Sequence, residues 1–126
     1  MLIGALKLDP KLGAAATPVL RSAIEEVLGA ANTAIAEAKK VAQHRAVLNI
    51  PAGEAPKQGC ALAQSVSATD YLTASFNLDV AGKNVTISVA LHLTKDCSSR
   101  ASSKTVPRSE MITALKEIVK TQVSRR

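Results

Sequence analysis

The sequence predicts an α+β fold: a long N-terminal helix, an antiparallel meander of three to four strands and a C-terminal helix, with the helices on one face of the sheet. Three observations support this order. Residues 18–44 repeat apolar positions at helical steps, residues 72–93 alternate apolar and polar side chains, and residues 107–123 follow the helical period again. A chain of 126 residues that is 47% hydrophobic suits a single domain, 1–126, with its own core.

The first helix is predicted over residues 18–44, after an irregular lead-in at residues 1–16. Thr17 and Pro18 are typical of a helix start, because threonine caps free backbone N–H groups and proline fits the first turn. The apolar stripe consists of Leu20, Ile24, Val27, Ala31, Ala34, Ala38 and Val41. Its heptad-like spacing fits a helix that covers the sheet, and also a helix that packs on a second copy of itself.

The pattern is weaker between this helix and residue 72. Residues 46–50 predict a short strand stopped by Pro51, and residues 51–59 a loop. Residues 60–69 are ambiguous, but apolar and small residues alternate there, which favours a fourth strand.

Residues 72–93 have the most regular pattern of the chain and predict a β-hairpin. Gly82-Lys83 fits a two-residue type II′ turn, which pairs Val80 with Val85 and Leu72 with Leu93. One face of this hairpin is wholly apolar. The other face carries short, nearly uncharged side chains, among them Thr73, Ser75, Asn77, Thr86 and Ser88.

The positive charge of the chain, +6 in total, is concentrated after residue 93. Residues 96–106 predict a mobile, basic, serine-rich loop, and the last helix follows over residues 107–123. These cations could neutralise phosphates, which makes nucleic-acid binding one hypothesis. The residues concerned are Arg100, Lys104, Arg108, Lys116, Lys120, Arg125 and Arg126.

Catalytic chemistry is not predicted. The sequence has no Walker, GxGxxG or GxSxG motif, and nothing in it orients His44 or His92 as a base for Cys60. We therefore predict no catalytic residue, no cofactor and no small-molecule substrate. Cys60 and Cys97 lack the spacing of a metal site; free thiols are the simpler expectation in the cytosol, and a disulfide is the alternative.

These observations predict a non-enzymatic interaction or assembly module, which forms a homo-oligomer or part of a larger protein particle with itself or another protein as partner. The alternative is a basic nucleic-acid-binding protein that contacts phosphates through its C-terminal quarter, and a viral or phage structural protein would combine both. The predicted oligomer interface contains Thr73, Ser75, Asn77, Thr86, Ser88, Ala31, Ala34 and Ala38.

The location expected from the sequence is cytoplasmic, or within a virus-like particle. The opening residues lack the basic start and long apolar run of a secretory signal. No stretch reaches the roughly 20 apolar residues of a membrane span, so we expect no membrane partner.

Overall fold

A four-stranded mixed sheet organises the part of the chain that the structure, a computed structural model, describes, residues 1–125. The strands lie side by side in chain order: β1 (Leu2–Leu8), β2 (Asp70–Leu78), β3 (Asn84–Leu93) and β4 (Ser99–Pro107). β1 pairs with β2 in parallel, and the other two pairs are antiparallel. The helices are α1 (Ala16–Ala30), α2 (Ala38–Val47), α3 (Pro56–Ser65) and α4 (Met111–Ser124), and short 3₁₀ turns occupy Pro10–Leu12 and Arg108–Glu110.

The main core lies between one face of this sheet and helices α1 and α4. Alternating residues of the sheet supply one side of it: Ile3, Leu72, Ala74, Phe76, Val85, Ile87, Val89 and Leu91. Leu20 and Ile24 of α1 and Leu115 of α4 supply part of the other side. Each such large side chain contributes about 1.5–3 kcal/mol when fully buried. The predicted α+β arrangement of N-terminal helix, strand meander and C-terminal helix is therefore confirmed.

A smaller cluster lies on the opposite face of the sheet, under α3. Leu62 and Ala63 of α3 pack there with Leu2, Ile50 and Tyr71. Consequently α1 and α4 share one face of the sheet, while α3 covers one end of the other face.

The predicted helix over residues 18–44 is two helices in the structure. α1 ends at Ala30, Asn32 adopts φ 54°, and α2 begins only at Ala38. A left-handed residue stops a helix, and asparagine tolerates that conformation better than most residues. The connection then runs beside β1, where the N–H of Met1 donates to the Ala34 carbonyl at 2.7 Å and the Met1 carbonyl accepts from Ala36 N at 2.9 Å.

Residues 60–69, predicted as a strand, lie mostly in α3. Pro56 occupies the first turn of this helix, and the Gln58 side chain accepts a hydrogen bond from Ala55 N at 3.0 Å. These are helix-start features, and they outweigh the short alternating pattern. Residues 46–50, also predicted as a strand, form the end of α2 and the turn after it, where Ile50 N donates to the Arg45 carbonyl.

Two segments predicted as irregular are strands. Residues 2–8 of the expected lead-in form β1, whose parallel partner β2 is about 70 residues away. Residues 99–107, most of which fall in the expected mobile loop at 96–106, form β4. Its serines, Arg100 and Lys104 suit an edge strand that faces solvent.

The central hairpin forms, with a register that differs from the predicted one by two residues. Leu78, and not Val80, pairs with Val85. The Asp79 carboxylate accepts from Lys83 N at 2.9 Å and from Asn84 Nδ2 at 3.0 Å, which stabilises a five-residue connection over 79–83. A shift of two residues preserves parity, so the predicted side chains from Leu72 to Phe76 and from Val85 to Leu91 still face the core, whereas Val80 lies in the turn and is fully exposed.

Candidate interaction surface

The face of the sheet opposite α1 and α4 is open to solvent beyond Tyr71. Strands β2 and β3 present half-buried or exposed small residues there, paired as Thr73 with Ala90, Ser75 with Ser88 and Asn77 with Thr86. β4 continues the surface with three exposed residues. We call this surface the open face; it consists of Thr73, Ser75, Asn77, Thr86, Ser88, Ala90, Ala101, Ser103 and Thr105.

Short side chains bond to one another across the open face. The hydroxyls of Thr86 and Thr105 lie 2.9 Å apart, and those of Ser88 and Ser103 lie 3.4 Å apart. Each such cross-strand pair contributes about 0.2–1 kcal/mol relative to a pair of alanines. The surface is uncharged and consists of short side chains, with Lys7 of β1 as the charged side chain beside it, paired with Ser75.

A shallow cavity of about 150 Å³ lies where the open face meets the loop before α3. Its lining includes Glu54 and Pro56 from the loop side and Thr73, Ser75 and Ser88 from the sheet. Ligand sites usually enclose about 300–1,000 Å³. This cavity is too small for such a site, so the open face is better suited to contact with another protein surface.

A buried carboxylate anchors the loop before α3 to the sheet. The Glu54 side chain is 0% exposed. Its Oε1 accepts from the Tyr71 hydroxyl at 2.9 Å and from Ala5 N at 3.1 Å, and its Oε2 accepts from Arg45 Nη1 at 3.3 Å. Burial, followed by the adjacent Glu54 charge, raises the pKa of the Tyr71 hydroxyl, which therefore stays protonated and donates. This cluster is bonded internally and serves the fold.

The ring of Tyr71 is enclosed on several sides. A Cβ added to Gly4 or to Gly59 would overlap the ring. The His92 ring lies 5.4 Å from it, centroid to centroid. His92 is only 8% exposed, its Nε2 has no hydrogen-bond partner, and burial lowers its pKa. The sequence did not single out Glu54, Arg45 or Gly59; the one available signal was a lone tyrosine in a chain with two aromatic residues.

Cys60 and Cys97 form a disulfide, with Cα atoms 6.1 Å apart. The expectation of free thiols is therefore wrong. The bond joins buried Cys60 of α3 to the connection between β3 and β4, where Cys97 adopts φ 56°. Cys60, for which the sequence offers no oriented base, is engaged in this bond.

The predicted phosphate-binding residues are distributed over several elements. Arg100 and Lys104 lie on β4, Arg108 lies in the turn before α4, and Lys116, Lys120 and Arg125 lie on or just after α4; Arg126 lies outside the described residues.

Part of this charge is bound within the chain. Lys116 Nζ lies 2.9 Å from Glu26 Oε2, and Lys104 Nζ lies 3.5 Å from Glu117 Oε2. Arg100 Nη1 donates to the Arg125 carbonyl at 3.0 Å. These contacts engage three of the predicted cations, and phosphate binding through the set stays a prediction.

The predicted alanine stripe does not lie on one helix. Ala31 and Ala34 fall in the connection between α1 and α2, and Ala38 is the first residue of α2. A helix pair built on this stripe is therefore not available, and only the sheet residues of the predicted interface share a surface.

Within residues 1–125, no group of three or more His, Cys, Asp or Glu side chains is placed to hold a metal ion. In the same part of the chain, no helix combines the length and apolar character needed to cross a membrane.

The fold defined by this sheet and its helices is known from other proteins. The sequence matches no protein-family model and no curated relative. The C-terminal domain of LpoB from Salmonella enterica aligns with a TM-score of 0.65 and 16% identity, over 85% of this chain and 81% of that one. A PelC dodecamer from Paraburkholderia phytofirmans, a variant with one substitution, aligns with a TM-score of 0.57 and 16% identity, over 94% of this chain and 84% of that one. Lipoprotein GNA1162 from Neisseria meningitidis aligns with a TM-score of 0.55 and 14% identity, over 98% of this chain and 94% of that one.

At these identities the similarity establishes the fold. The neighbours include a protein described as a dodecamer and another described as a lipoprotein. They are compatible with a non-enzymatic interaction module that has a protein partner or forms an oligomer, and they give no support to nucleic-acid binding.

The predicted cytoplasmic location is wrong. The structural neighbours include a lipoprotein, which points away from the cytoplasm. The disulfide between Cys60 and Cys97 points in the same direction, since disulfides persist in oxidising compartments and are rare in cytosolic proteins.

Proposed function

We propose that this chain is a disulfide-stabilised, non-enzymatic assembly module of an oxidising compartment, and that it associates with copies of itself through the open face. The observation that carries this proposal is that the face consists of short side chains without charge. Solvent-exposed sheets are commonly protected from association by charged side chains, especially lysine. Here the sheet presents hydroxyl, amide and methyl groups.

Small side chains favour such a contact for an entropic reason. Burial of serine or alanine removes little rotamer freedom, whereas lysine and glutamate lose up to about 2 kcal/mol each. The cross-strand hydroxyl pairs, Thr86 with Thr105 and Ser88 with Ser103, are already ordered in the free chain. The side chains of the open face are therefore pre-organised for contact with a partner.

The size of the open face sets the expected strength of association. Three strands about 4.8 Å apart, with about five residues of each in the open face, span roughly 200–250 Å². Stable complexes bury about 800 Å² on each partner. A contact limited to this face should therefore be reversible and concentration-dependent, and a stable particle would need several contacts at once. The dodecameric state of PelC supports the view that this fold is compatible with self-assembly.

Sedimentation equilibrium across the micromolar range tests the proposal. Wild-type protein should show a mass that rises with concentration. Ser88→Lys places a charge at the centre of the open face and should return the protein to monomer. Ser22→Lys, at an exposed position of α1, adds the same charge elsewhere and should associate as wild type does.

Circular dichroism establishes that both variants are folded. A wild-type protein that stays monomeric at high micromolar concentration would contradict self-assembly. Equal loss of association in Ser22→Lys would assign the effect to net charge and not to the open face.

A further inference from the structure

A groove separates β1, the edge strand of the sheet, from α2. Its volume is about 700 Å³, within the range of roughly 300–1,000 Å³ typical of ligand sites. Residues 2–5 of β1 line one side, and Ala38, Val41, Ala42 and Ala46 of α2 line another. The groove lies at the edge of the sheet, so it is distinct from the open face.

Helix α2 is unusual because none of its ten residues is buried. Val41 is half-buried, and the alanines that line the groove are exposed. Most helical stability in proteins comes from packing of an apolar face. Val41 packs against the smaller cluster under α3, whereas the alanines of α2 face a space that the described chain leaves unfilled. Val47 and Leu48, at the end of the same helix, are 82% and 44% exposed.

The edge of β1 offers backbone groups at this groove. The outward N–H and carbonyl of Met1 are bound by the connection after α1, and Ala5 N donates to Glu54. Backbone groups alternate in direction along a strand, so those of Ile3 point to the same outer side. Within residues 1–125 they have no partner there. A backbone group without a hydrogen-bond partner away from bulk water raises the free energy of the folded state. An added strand would supply hydrogen bonds to both the N–H and the carbonyl of Ile3.

The charged side chains that line the groove are cationic, and each also has a glutamate partner. Arg21 and Arg45 are the charged residues among those that line it. Arg21 is 42% exposed at its side chain and lies 3.9 Å from Glu25, a loose ion pair. Arg45 Nη1 is held by the Pro51 carbonyl at 2.7 Å and by Glu54, which fixes the guanidinium in place. A guanidinium has five N–H donors, so further donors serve a carboxylate.

We propose that this groove binds an extended acidic segment of a partner polypeptide, which adds to the edge of β1 beneath α2. The backbone of Ile3 pairs with the segment, Arg21 and Arg45 meet its carboxylates, and the alanines and Val41 of α2 cover its apolar side chains. Strand addition of this kind derives affinity from main-chain bonds and specificity from side-chain contacts.

The test uses the whole chain and two fluorescein-labelled, N-acetylated hexapeptides, which alternate valine with glutamate in one and valine with lysine in the other. Fluorescence anisotropy should show binding of the glutamate peptide, at least about tenfold tighter than the lysine peptide. Arg21→Gln should weaken it about fivefold, the magnitude of one exposed ion pair. Amide NMR signals of Ile3 and Val41 should shift on titration.

Matched tryptophan variants of α2 test the location. Ala46→Trp fills the groove from an exposed position and should abolish peptide binding. Gln43→Trp places the same ring on the same helix outside the groove and should leave binding unchanged. The proposal is overturned if both peptides bind with equal affinity, if neither binds at millimolar concentration, or if binding survives Ala46→Trp. Loss of self-association in Ala46→Trp would instead identify a second copy as the occupant and also overturn it.

Discussion

At the scale of single residues, the Glu54 carboxylate connects three separate parts of the chain. It binds Ala5 N of β1, the Tyr71 hydroxyl of β2 and Arg45 of α2. Removal of one member of a buried ion pair typically costs about 3–5 kcal/mol, because the other charge remains without a partner. Glu54 therefore determines where the loop before α3 meets the sheet, and with it the boundary of the open face.

The glycines around Tyr71 permit the close approach of α3 to β2. A methyl group at Gly59 would overlap the Tyr71 ring, whereas one at Gly29, also in a helix, would meet nothing within 4 Å. We expect Gly59→Ala to destabilise the protein by about 1–3 kcal/mol through overpacking. Gly29→Ala should stabilise it by up to about 1 kcal/mol through helix propensity. Urea denaturation of both variants measures this, and equal effects would show that Tyr71 is not tightly enclosed.

His92 should make the stability depend on pH. Burial holds the pKa of His92 below the ordinary value of 6.5. Just below pH 6.5, His92 is therefore protonated in the unfolded chain but still neutral in the folded chain. The stabilisation is complete above pH 6.5 and declines as the pH falls below it, by at most about 1.4 kcal/mol per pH unit.

Urea midpoints between pH 7.5 and about pH 5 measure this dependence. His92→Phe keeps a ring beside Tyr71 and should flatten the slope, while His44→Gln, on the exposed helix α2, should retain it. Asp9, Asp79 and Asp96 do not interfere, since their pKa values are lowered from 3.8 and they titrate below this window. An unchanged slope in His92→Phe would assign the dependence to another group.

At the scale of elements, local patterns predicted α1, the hairpin and α4, whereas β1 and β4 depend on pairing with other strands. β1 is held by parallel pairing with a strand about 70 residues away, and a segment of seven residues gives no local sign of it. β4 is polar because it is an edge strand, and its composition resembles that of a loop. The break after Ala30 depends on one left-handed residue, Asn32, within a period that continues past it.

The disulfide should contribute strongly to the stability of α3. Cys60 and Cys97 are separated by 37 positions, and a cross-link of that span stabilises by about 3–4 kcal/mol in the chain-entropy model. We expect reduction by dithiothreitol to lower the free energy of unfolding by this amount. Cys60→Ala/Cys97→Ala should have the same lowered stability and no further response to reductant. A wild-type protein that is insensitive to dithiothreitol would show that α3 is held by its apolar contacts alone.

At the scale of the whole molecule, the sequence predicted which side chains share the open face, while their role as an interface stays a prediction. Strand parity alone separates Thr73, Ser75, Asn77, Thr86 and Ser88 from the core, and parity survives the two-residue change in register. The groove could not be predicted in this way. It depends on the break between α1 and α2, where Asn32 is left-handed, and on the long-range pairing that makes β1 an edge strand.

Salt should separate the two proposed surfaces, because one lacks charge and the other contains arginines. Copies of a chain with net charge +6 repel one another, and salt reduces the range of that repulsion from about 10 Å at 0.1 M to about 3 Å at 1 M. Self-association through the uncharged open face should therefore strengthen as sodium chloride is added. Binding of the glutamate peptide should weaken over the same range, because the attraction to Arg21 is screened.

Sedimentation equilibrium and fluorescence anisotropy in the same buffers measure the two responses. Ser88→Lys should abolish self-association and leave the salt dependence of peptide binding unchanged. Ala46→Trp should abolish peptide binding and leave the salt dependence of self-association unchanged. If self-association weakened with salt, the contact between copies would be made by ion pairs, and the open face could not be its site. Screening strengthens an uncharged contact between like-charged chains and weakens a contact between arginine and carboxylate. If salt changed self-association and peptide binding in the same direction, the two surfaces would therefore not be independent.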